Sequence, residues 1–226
     1  MLVARTARDL EQAKSEIAAA HDVTIETVSA DLSIPDQRGA LAGRFPAMDI
    51  VISNTGATAI ASITEIDEAR WREGWELKFY GYLALMRSFY PLMCERGAGV
   101  LLSVMGVSGE RPGPDTLAVG MVNASLNAMT KAIGGTSSDH NVRVLGVNPG
   151  PVLTERGIAT MRTIANAKLG DANRWEELAR NMPFGRFADP AEITSVIVFL
   201  VSGRASYMTG TVVNVDGGVA TRVSNY

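Results

Sequence analysis

The sequence predicts an α/β protein in which a parallel sheet is covered by helices on both faces. Strand-like and helix-like segments alternate along the chain, a pattern typical of a doubly wound parallel sheet. The apolar runs 50–52 and 100–102 are continuous rather than alternating, as expected for strands that are buried on both faces. The chain has 226 residues, of which 46% are hydrophobic and 20% charged, so we expect a single domain spanning residues 1–226.

The beginning of the chain predicts two strands separated by a helix. A short apolar piece at 2–4 precedes a helix expected at 7–20. Thr6 can cap that helix, with Asp9 three residues further on. Alternation of apolar and polar residues then predicts a strand over 23–28.

The rest of the chain continues the alternation. Asp189 is expected to cap a helix at 190–201, because proline follows it at the first helical position. The apolar run 196–201 within that helix predicts burial. The remaining expected elements are strands at 50–52, 100–104, 142–147 and 211–215, helices at 66–95 and 117–134, and a helical flap at 152–182.

Composition argues against several classes of function. The net charge is −3, so we expect no nucleic-acid partner, which would need a basic surface. No apolar run approaches the roughly 18 residues of a membrane helix, and the apolar start is too short for a signal peptide. Cys94 is the one cysteine, which favours a reducing compartment, and a cytoplasmic protein without a membrane partner is expected. His21 and His140 have no metal-ligating neighbours in the sequence, so no metal site is expected.

Short motifs follow the ends of the predicted strands, where ligands bind in parallel α/β sheets. In order and spacing these motifs resemble successive landmarks of the short-chain dehydrogenase/reductase family along nearly the whole chain. They are Asp31-Leu32, Asn54-Thr55-Gly56-Ala57, Asn148-Pro149-Gly150-Pro151-Val152 with Thr154, and Gly210 with Val215-Asp216-Gly217-Gly218. The resemblance implies a Rossmann-like doubly wound parallel sheet in three layers, and an oxidoreductase that acts on a small-molecule substrate.

The resemblance also implies that NAD or NADP binds across the sheet. Arg5 lies where relatives that prefer NADP carry a basic residue, so NADP is favoured; the alternative is an exposed arginine ahead of a helix. Asp31 would accept the adenine amino group or could instead cap a turn, and Gly56 and Gly150 could be turn glycines alone. The residues implied to bind the cofactor are Arg5, Asp31, Leu32, Asn54, Thr55, Gly56, Pro149, Gly150, Val152 and Thr154.

The family's first strand, glycine-rich turn and first helix have no counterpart in this sequence. The chain opens at what resembles the second strand, and no Gly-x-x-x-Gly-x-Gly precedes it. In the family that turn holds the pyrophosphate at a helix N-terminus. We therefore expect a fold that lacks roughly 25–30 residues, with the family's second and fourth strands unpaired at their facing edges. A start codon assigned too late explains this more simply than a working protein without its central strand.

The four residues that carry the family's chemistry are all replaced. Alignment through neighbouring residues puts Lys78 at the position of the family's Asn, Gly106 at Ser, Val119 at Tyr and Asn123 at Lys. Valine has no exchangeable proton and glycine has no hydroxyl, so the usual ketone–alcohol reaction cannot run with these residues. Lys78 and Asn123 are the candidate catalytic residues. Lys78 supplies a new acid/base or is a relic charge, and Asn123 could bond a ribose hydroxyl.

Three functional hypotheses follow from these substitutions. The chain is an oxidoreductase with non-standard or absent activity, a non-catalytic nucleotide-binding or oligomer-scaffolding homologue, or a fragment that does not fold alone. The segments 71–93 and 117–133 resemble the family's dimer face, which implies a homodimer or homotetramer. The apolar content of these segments, including Leu83, Met86, Met121 and Met129, fits helix packing.

Overall fold

A computed structural model describes residues 1–56 and 61–222. Its helices and strands follow the alternation expected from the sequence. In chain order they are β1 (Leu2–Ala4), α1 (Ala7–Ala20), β2 (Thr27–Ser29), α2 (Pro35–Arg44), β3 (Ile50–Ser53), α3 (Glu68–Trp75), a π-helical turn (Glu76–Tyr80), α4 (Gly81–Arg96), β4 (Gly99–Val104), α5 (Leu117–Ser137), β5 (Val142–Pro149), α6 (Glu155–Leu169), α7 (Pro190–Val201) and β6 (Thr211–Val215).

The strands form two parallel sheets. β1 pairs with β2, while β3, β4, β5 and β6 form a second sheet in that order. Within the residues that the structure describes, β1 pairs with no strand except β2, and β3 with none except β4. By the family resemblance, the first strand of a relative would run between β1 and β3.

Helices cover the larger sheet on both faces, which confirms the predicted Rossmann-like three-layer arrangement. On one face, Leu101 of β4 and Val144 of β5 pack in one cluster with Phe89 of α4 and Leu41 of α2. On the other face, alternate residues of β4 and β5 pack with Leu200 of α7. Successive residues of these parallel strands are buried on opposite faces of the sheet, so the strands are continuous apolar runs in the sequence.

One strand lacks a cover on the α7 face. Ile50 and Ile52 of β3 are in register with Val100 and Leu102 of β4, so the four side chains point to the same face of the sheet. Val100 is 8% exposed and Leu102 is 1% exposed, whereas Ile50 and Ile52 are 43% and 45% exposed. The α7 layer therefore covers β4 and leaves β3 open.

Local sequence signals explain some of the helix boundaries. Asp189 caps α7 by accepting a hydrogen bond from the Ala191 N–H, and Glu192 completes a capping box, as predicted from Asp189. Thr6 stands at the N-cap position of α1, but its side chain makes no capping hydrogen bond, so the predicted capping role of Thr6 is wrong. The predicted strand over 23–28 is also wrong in extent, since β2 is limited to Thr27–Ser29.

One prediction about a buried apolar run is corrected by the structure. Val198 and Phe199 of α7 are 63% and 40% exposed, so the run 196–201 is not buried throughout. Met86 is only 5% exposed and packs in the core cluster beneath α4, whereas Met121 is 44% exposed. Among the described residues, no helix is long and apolar enough to cross a membrane.

Candidate functional site

Lys78 is a buried cation at the centre of the candidate site. It lies in the π-helical turn between α3 and α4 and is 7% exposed. Its Nζ donates a hydrogen bond to the Met105 carbonyl oxygen at 3.0 Å. No carboxylate among the described residues forms an ion pair with it. Burial, together with the charge of Arg156, lowers the pKa of Lys78 to about 8.

The π-helical turn sets the directions of neighbouring side chains. Such turns insert an extra residue into a helix and occur frequently at functional sites. Here Lys78 is buried, while Tyr80, two residues further along the chain, is 45% exposed. A Cβ added to Gly56 would lie 3.3 Å from Lys78 Cδ, so the lysine side chain runs directly along this glycine.

The structure brings Gly106 and Asn123 together with Lys78. Gly106 follows Met105, and a Cβ added to Gly106 would lie 2.9 Å from Asn123 Nδ2. Asn123 is 1% exposed and donates to Ser108 Oγ at 2.9 Å, while its Oδ1 has no hydrogen-bond partner in the described chain.

Val119 and Asn123 are both placed by α5. Val119 lies four residues before Asn123 and therefore on the same side of the helix. Val119 is half-buried, whereas Asn123 is fully enclosed. All four positions that the sequence leads us to expect at the family's catalytic residues thus adjoin the loop after β4 or the helix face beside it.

Two buried side chains that the sequence reading did not assign to the site fix the loop after β4. The Tyr82 hydroxyl lies 2.8 Å from the Val104 carbonyl oxygen and 3.0 Å from that of Thr55, and these two acceptors share its single proton. Asn148 Oδ1 accepts from the Gly106 N–H at 3.2 Å, and its Nδ2 donates to Asn214 at 3.1 Å. Burial raises the pKa of Tyr82 well above its usual value, so this phenol stays protonated.

These two residues left only weak signals in the sequence. Tyr82 stands four residues after Lys78 on the same helical stretch, so a helical projection places the two side chains on one face. Asn148 belongs to a recognised motif, yet its partners lie on other strands and cannot be identified from its neighbours in the chain.

Arg5 and Asp31 lie close to each other beyond the ends of β1 and β2. Asp31 Oδ1 accepts hydrogen bonds from the Ser33 N–H at 2.9 Å and the Ser33 hydroxyl at 2.7 Å. These bonds, aided by the charge of Arg5, hold the pKa of the Asp31 carboxyl below its usual value. Asp31 therefore caps a turn, one of the two roles considered, and its Oδ2 receives no hydrogen bond from a described residue.

Leu32 lies in the core beside this turn. It is 5% exposed, belongs to the cluster that includes α4, and comes close to Gly81. Its carbonyl oxygen accepts from the Arg38 guanidinium at 3.1 Å.

The motif after β3 contributes polar atoms at the end of that strand. Asn54 is exposed, and the buried Thr55 Oγ1 has no hydrogen-bond partner in the described part of the chain. Gly56 lies against Lys78. Ala57, the last residue of this motif, lies outside the described residues.

The motif after β5 is tied to β6 and to the start of α6. The Gly150 N–H donates to the Val215 carbonyl oxygen, and a Cβ on Gly150 would lie 3.0 Å from Asp216 Cα. Val152, which follows Pro149 and Gly150, forms a bridge to Ala188. Thr154 caps α6 by accepting from the Gly157 N–H at 3.0 Å, so its hydroxyl has at least this structural role.

Comparisons with known proteins agree with this architecture. The family model described as enoyl-(acyl carrier protein) reductase matches residues 1–220. A galactitol 2-dehydrogenase (L-tagatose-forming) from Cereibacter sphaeroides is 28% identical over 220 residues, which is 96% of this chain and 84% of the relative. A 3-oxoacyl-[acyl-carrier-protein] reductase from Thermotoga maritima is 28% identical over 176 residues, covering 78% of this chain and 68% of the relative.

Solved structures show the same fold. The L-sorbose reductase of Gluconobacter frateurii, solved with NADPH and L-sorbose, superposes with a TM-score of 0.87 and 28% identity. That superposition covers 98% of this chain and 87% of the reductase. The matching fold, the family model and the motifs at the strand ends lead to one conclusion: the chain belongs to the short-chain dehydrogenase/reductase family of oxidoreductases.

Proposed function

We propose that this chain is a nicotinamide dinucleotide-binding member of the family with non-standard chemistry, one that does not run the tyrosine-dependent ketone–alcohol reaction. The observation that carries the proposal is the group formed by Lys78, Gly106 and Asn123 around the loop after β4. Lys78 supplies a buried ammonium and Asn123 supplies a buried amide, where the family has a different catalytic set. Val119 adds no proton donor.

The residues at the strand ends fit a dinucleotide. Asp31 is ionised and has an oxygen open to an amino-group donor, as an adenine ring would supply. The orphaned Thr55 hydroxyl offers a hydrogen bond towards a ribose. Leu32 and Asn54 would flank the adenosine, while Pro149, Gly150, Val152 and Thr154 would hold the nicotinamide end. When bound, the nicotinamide would supply or accept hydride.

Arg5 favours the phosphorylated form of that cofactor. Its guanidinium is exposed and lies near Asp31 at the end of β1. A guanidinium binds a phosphate group through paired hydrogen bonds, which a ribose hydroxyl cannot match. NADP is therefore the proposed cofactor ahead of NAD.

Lys78 and Asn123 supply the polar groups of the proposed site. Lys78 Nζ uses one of its three N–H donors on Met105 O, so two remain for a ligand oxygen. With a pKa of about 8, it exchanges a proton near neutral pH, as a general acid or base must. Asn123 Oδ1 is buried and unpaired, which fits an acceptor for a hydroxyl of a bound ligand.

Cofactor binding and turnover are tested separately. The chain is titrated with NADPH and NADH by fluorescence, alongside Arg5→Gln and a matched Arg8→Gln control on the exposed surface of α1. We expect NADPH to bind more tightly than NADH, and Arg5→Gln to remove that difference while Arg8→Gln keeps it. Absence of binding at millimolar cofactor overturns the proposal. If the chain binds the cofactor and turns over a substrate, and Lys78→Ala leaves that turnover unchanged, Lys78 has no part in the chemistry.

A second candidate function is a non-catalytic, oligomer-scaffolding subunit. A broad depression of about 780 Å³ lies along α3 and the π-helical turn, with Ile63, Trp71, Trp75 and Tyr80 in its lining. Ile63 in this depression is 64% exposed, and Met121 of α5, outside its lining, is 44% exposed, so the molecule offers apolar surface to a second copy. Sedimentation velocity tests the homodimer or homotetramer. Met121→Glu should shift the protein to monomer if this surface is the interface, and an unchanged sedimentation coefficient contradicts it.

A further inference from the structure

The hydrogen-bond ladder between β4 and β5 ends at a proline. The last registered pair of these strands is Val104 and Val147, and the next residue, Met105, still donates its N–H to the Val147 carbonyl oxygen at 2.8 Å. In a parallel ladder the following bond would run from the N–H of residue 149 to the Met105 carbonyl oxygen. Residue 149 is a proline and has no N–H. Pro149 therefore leaves the Met105 carbonyl oxygen without a donor from β5.

The Lys78 ammonium takes the place of the missing N–H. Its Nζ donates to the Met105 carbonyl oxygen at 3.0 Å, and the lysine is 7% exposed. No carboxylate among the described residues forms an ion pair with it. A buried ammonium depends on its hydrogen-bond acceptors, so the direction of this one carbonyl group determines how well the charge is stabilised.

Asn148 holds the other end of the same peptide. The Met105 C=O and the Gly106 N–H lie in one plane, so fixing one group fixes the other. Asn148 Oδ1 accepts from the Gly106 N–H at 3.2 Å, and its Nδ2 donates to Asn214 Oδ1 at 3.1 Å. Because Asn148 is 0% exposed, water does not compete for these bonds. Three hydrogen bonds thus form a chain from Lys78 to Asn214, in which each bond polarises the next.

We propose that Asn148 is a positioning residue for Lys78, because it holds the Met105–Gly106 peptide in the orientation that turns the Met105 carbonyl oxygen towards the ammonium. Its role is indirect, since it acts through the peptide and not on a ligand. Pro149 frees the acceptor and Asn148 orients it, so two adjacent residues of one motif serve the same side chain. The inference rests on the proposed function only in taking Lys78 as the acid/base of the site.

The titration of Lys78 tests this role in the whole chain, without cofactor or substrate. The chain has four lysines, so ¹³C labelling at the lysine Cε gives few signals, and Lys78→Gln identifies the signal of Lys78. Asn148→Leu has a similar volume but offers no acceptor to the Gly106 N–H. It should lower the pKa of Lys78 by about one unit or more, the effect of a lost hydrogen bond to a charged group. An unchanged or raised pKa overturns the proposal.

Asn214→Ala is the matched control. It removes the second partner of the Asn148 side chain, and with it a link between β5 and β6, but it leaves Asn148 Oδ1 on the Gly106 N–H. We expect the pKa of Lys78 to stay nearly unchanged in this variant. Equal falls in Asn214→Ala and Asn148→Leu would show that Asn148 only links the two strands, and they overturn the proposal.

A conservative variant tests the acceptor itself. Asn148→Asp keeps an oxygen for the Gly106 N–H, so the pKa of Lys78 should not fall below its value in the unaltered chain. A fall as large as in Asn148→Leu overturns the proposal. Burial and the charge of Arg156 also act on the pKa of Lys78, and none of the substitutions at 148 or 214 removes either.

A measurement on the unaltered chain applies even if Asn148→Leu does not fold. Protonation of Lys78 draws charge from the peptide, so the side-chain amide signals of Asn148 should titrate with the same pKa as the Lys78 signal. Amide signals that do not move over that range overturn the proposal. A failure to bind NADPH or to turn over a substrate bears on the proposed function alone, since these titrations need neither.

Discussion

The Lys78 ammonium and the Met105 carbonyl oxygen are joined by a 3.0 Å hydrogen bond at the end of β4, where Met105 precedes Gly106. This bond anchors a buried cation to the loop after β4, in which the sequence resemblance would place a catalytic serine. The bond does not neutralise the charge. Lys78 therefore destabilises the folded protein whenever it is protonated, and this cost depends on pH.

The first prediction concerns stability against pH. The pKa of Lys78 falls from 10.5 to about 8 on folding, so between these values the unfolded chain binds more protons than the folded one. The free energy of unfolding should consequently rise as pH increases from 8 to 10.5. Below pH 8 the full cost of about 3 kcal/mol is present, and above 10.5 it is absent.

Lys78→Met reveals this cost. Below pH 8 the variant should be more stable than the wild type by about 2 kcal/mol, after about 1 kcal/mol is deducted for the lost hydrogen bond. The advantage should vanish by pH 10.5. Urea unfolding at pH 7 and pH 10 measures it, with Lys131→Met at an exposed position as the control. A Lys78→Met variant less stable than wild type at pH 7 would show that the ammonium is satisfied.

Much of the architecture could be predicted from the sequence because it follows from local signals. The apolar runs predict β3 and β4, and Asp189 followed by Pro190 predicts the start of α7. The burial of Lys78 could not be predicted in the same way. It depends on the π-helical turn and on contacts with Gly56 and the loop after β4, which are distant in the chain.

The errors have a common physical origin. The alternation at 23–28 has the period of a strand, but only Thr27–Ser29 finds a partner in β1, so pairing overrides the pattern. The sequence does not predict the helix Pro35–Arg44 because few of its residues are apolar. Its residues Arg38 and Leu41 are buried by tertiary contacts.

The second prediction concerns Tyr82. Tyr82→Phe removes the hydroxyl that connects the chain after β3 with the end of β4, and it leaves the buried Val104 carbonyl oxygen and the part-buried Thr55 carbonyl oxygen without this donor. We expect a loss of about 1–3 kcal/mol in the free energy of unfolding. Tyr80→Phe is the matched control, because Tyr80 is 45% exposed and should change stability by less than about 0.5 kcal/mol. Equal effects of the two substitutions would argue that the Tyr82 hydroxyl contributes nothing.

The third prediction compares two neighbouring strands on one face of the sheet. Ile52 and Leu102 are in register, yet Leu102 is 1% exposed and Ile52 is 45% exposed. Leu102→Ala should cost about 2–5 kcal/mol, since it opens a cavity beneath α7. Ile52→Ala should cost about 1 kcal/mol, because solvent already reaches that side chain. Chemical denaturation measures both. Similar losses for the two would mean that β3 is covered in solution.

The fourth prediction tests whether Gly106 and Asn123 are coupled. A Cβ at position 106 would lie 2.9 Å from Asn123 Nδ2, closer than such contacts allow, so Gly106→Ala should destabilise the protein by about 1–3 kcal/mol. Asn123→Ala removes the obstructing amide, although it also removes the bond to Ser108 Oγ. In the double variant the clash no longer exists.

A double-mutant cycle isolates this interaction. The loss in the double variant should be smaller than the sum of the two single losses by about 1–2 kcal/mol, because the added methyl group then occupies space that the amide has left. Gly109→Ala serves as the comparison, since a Cβ there would lie 2.8 Å from the Asn123 backbone carbonyl carbon, which no side-chain truncation moves. If Asn123→Ala relieved both glycine substitutions equally, the cause would be a general loosening of α5. Relief confined to Gly106 would show that a side chain larger than glycine at position 106 requires a different residue at position 123.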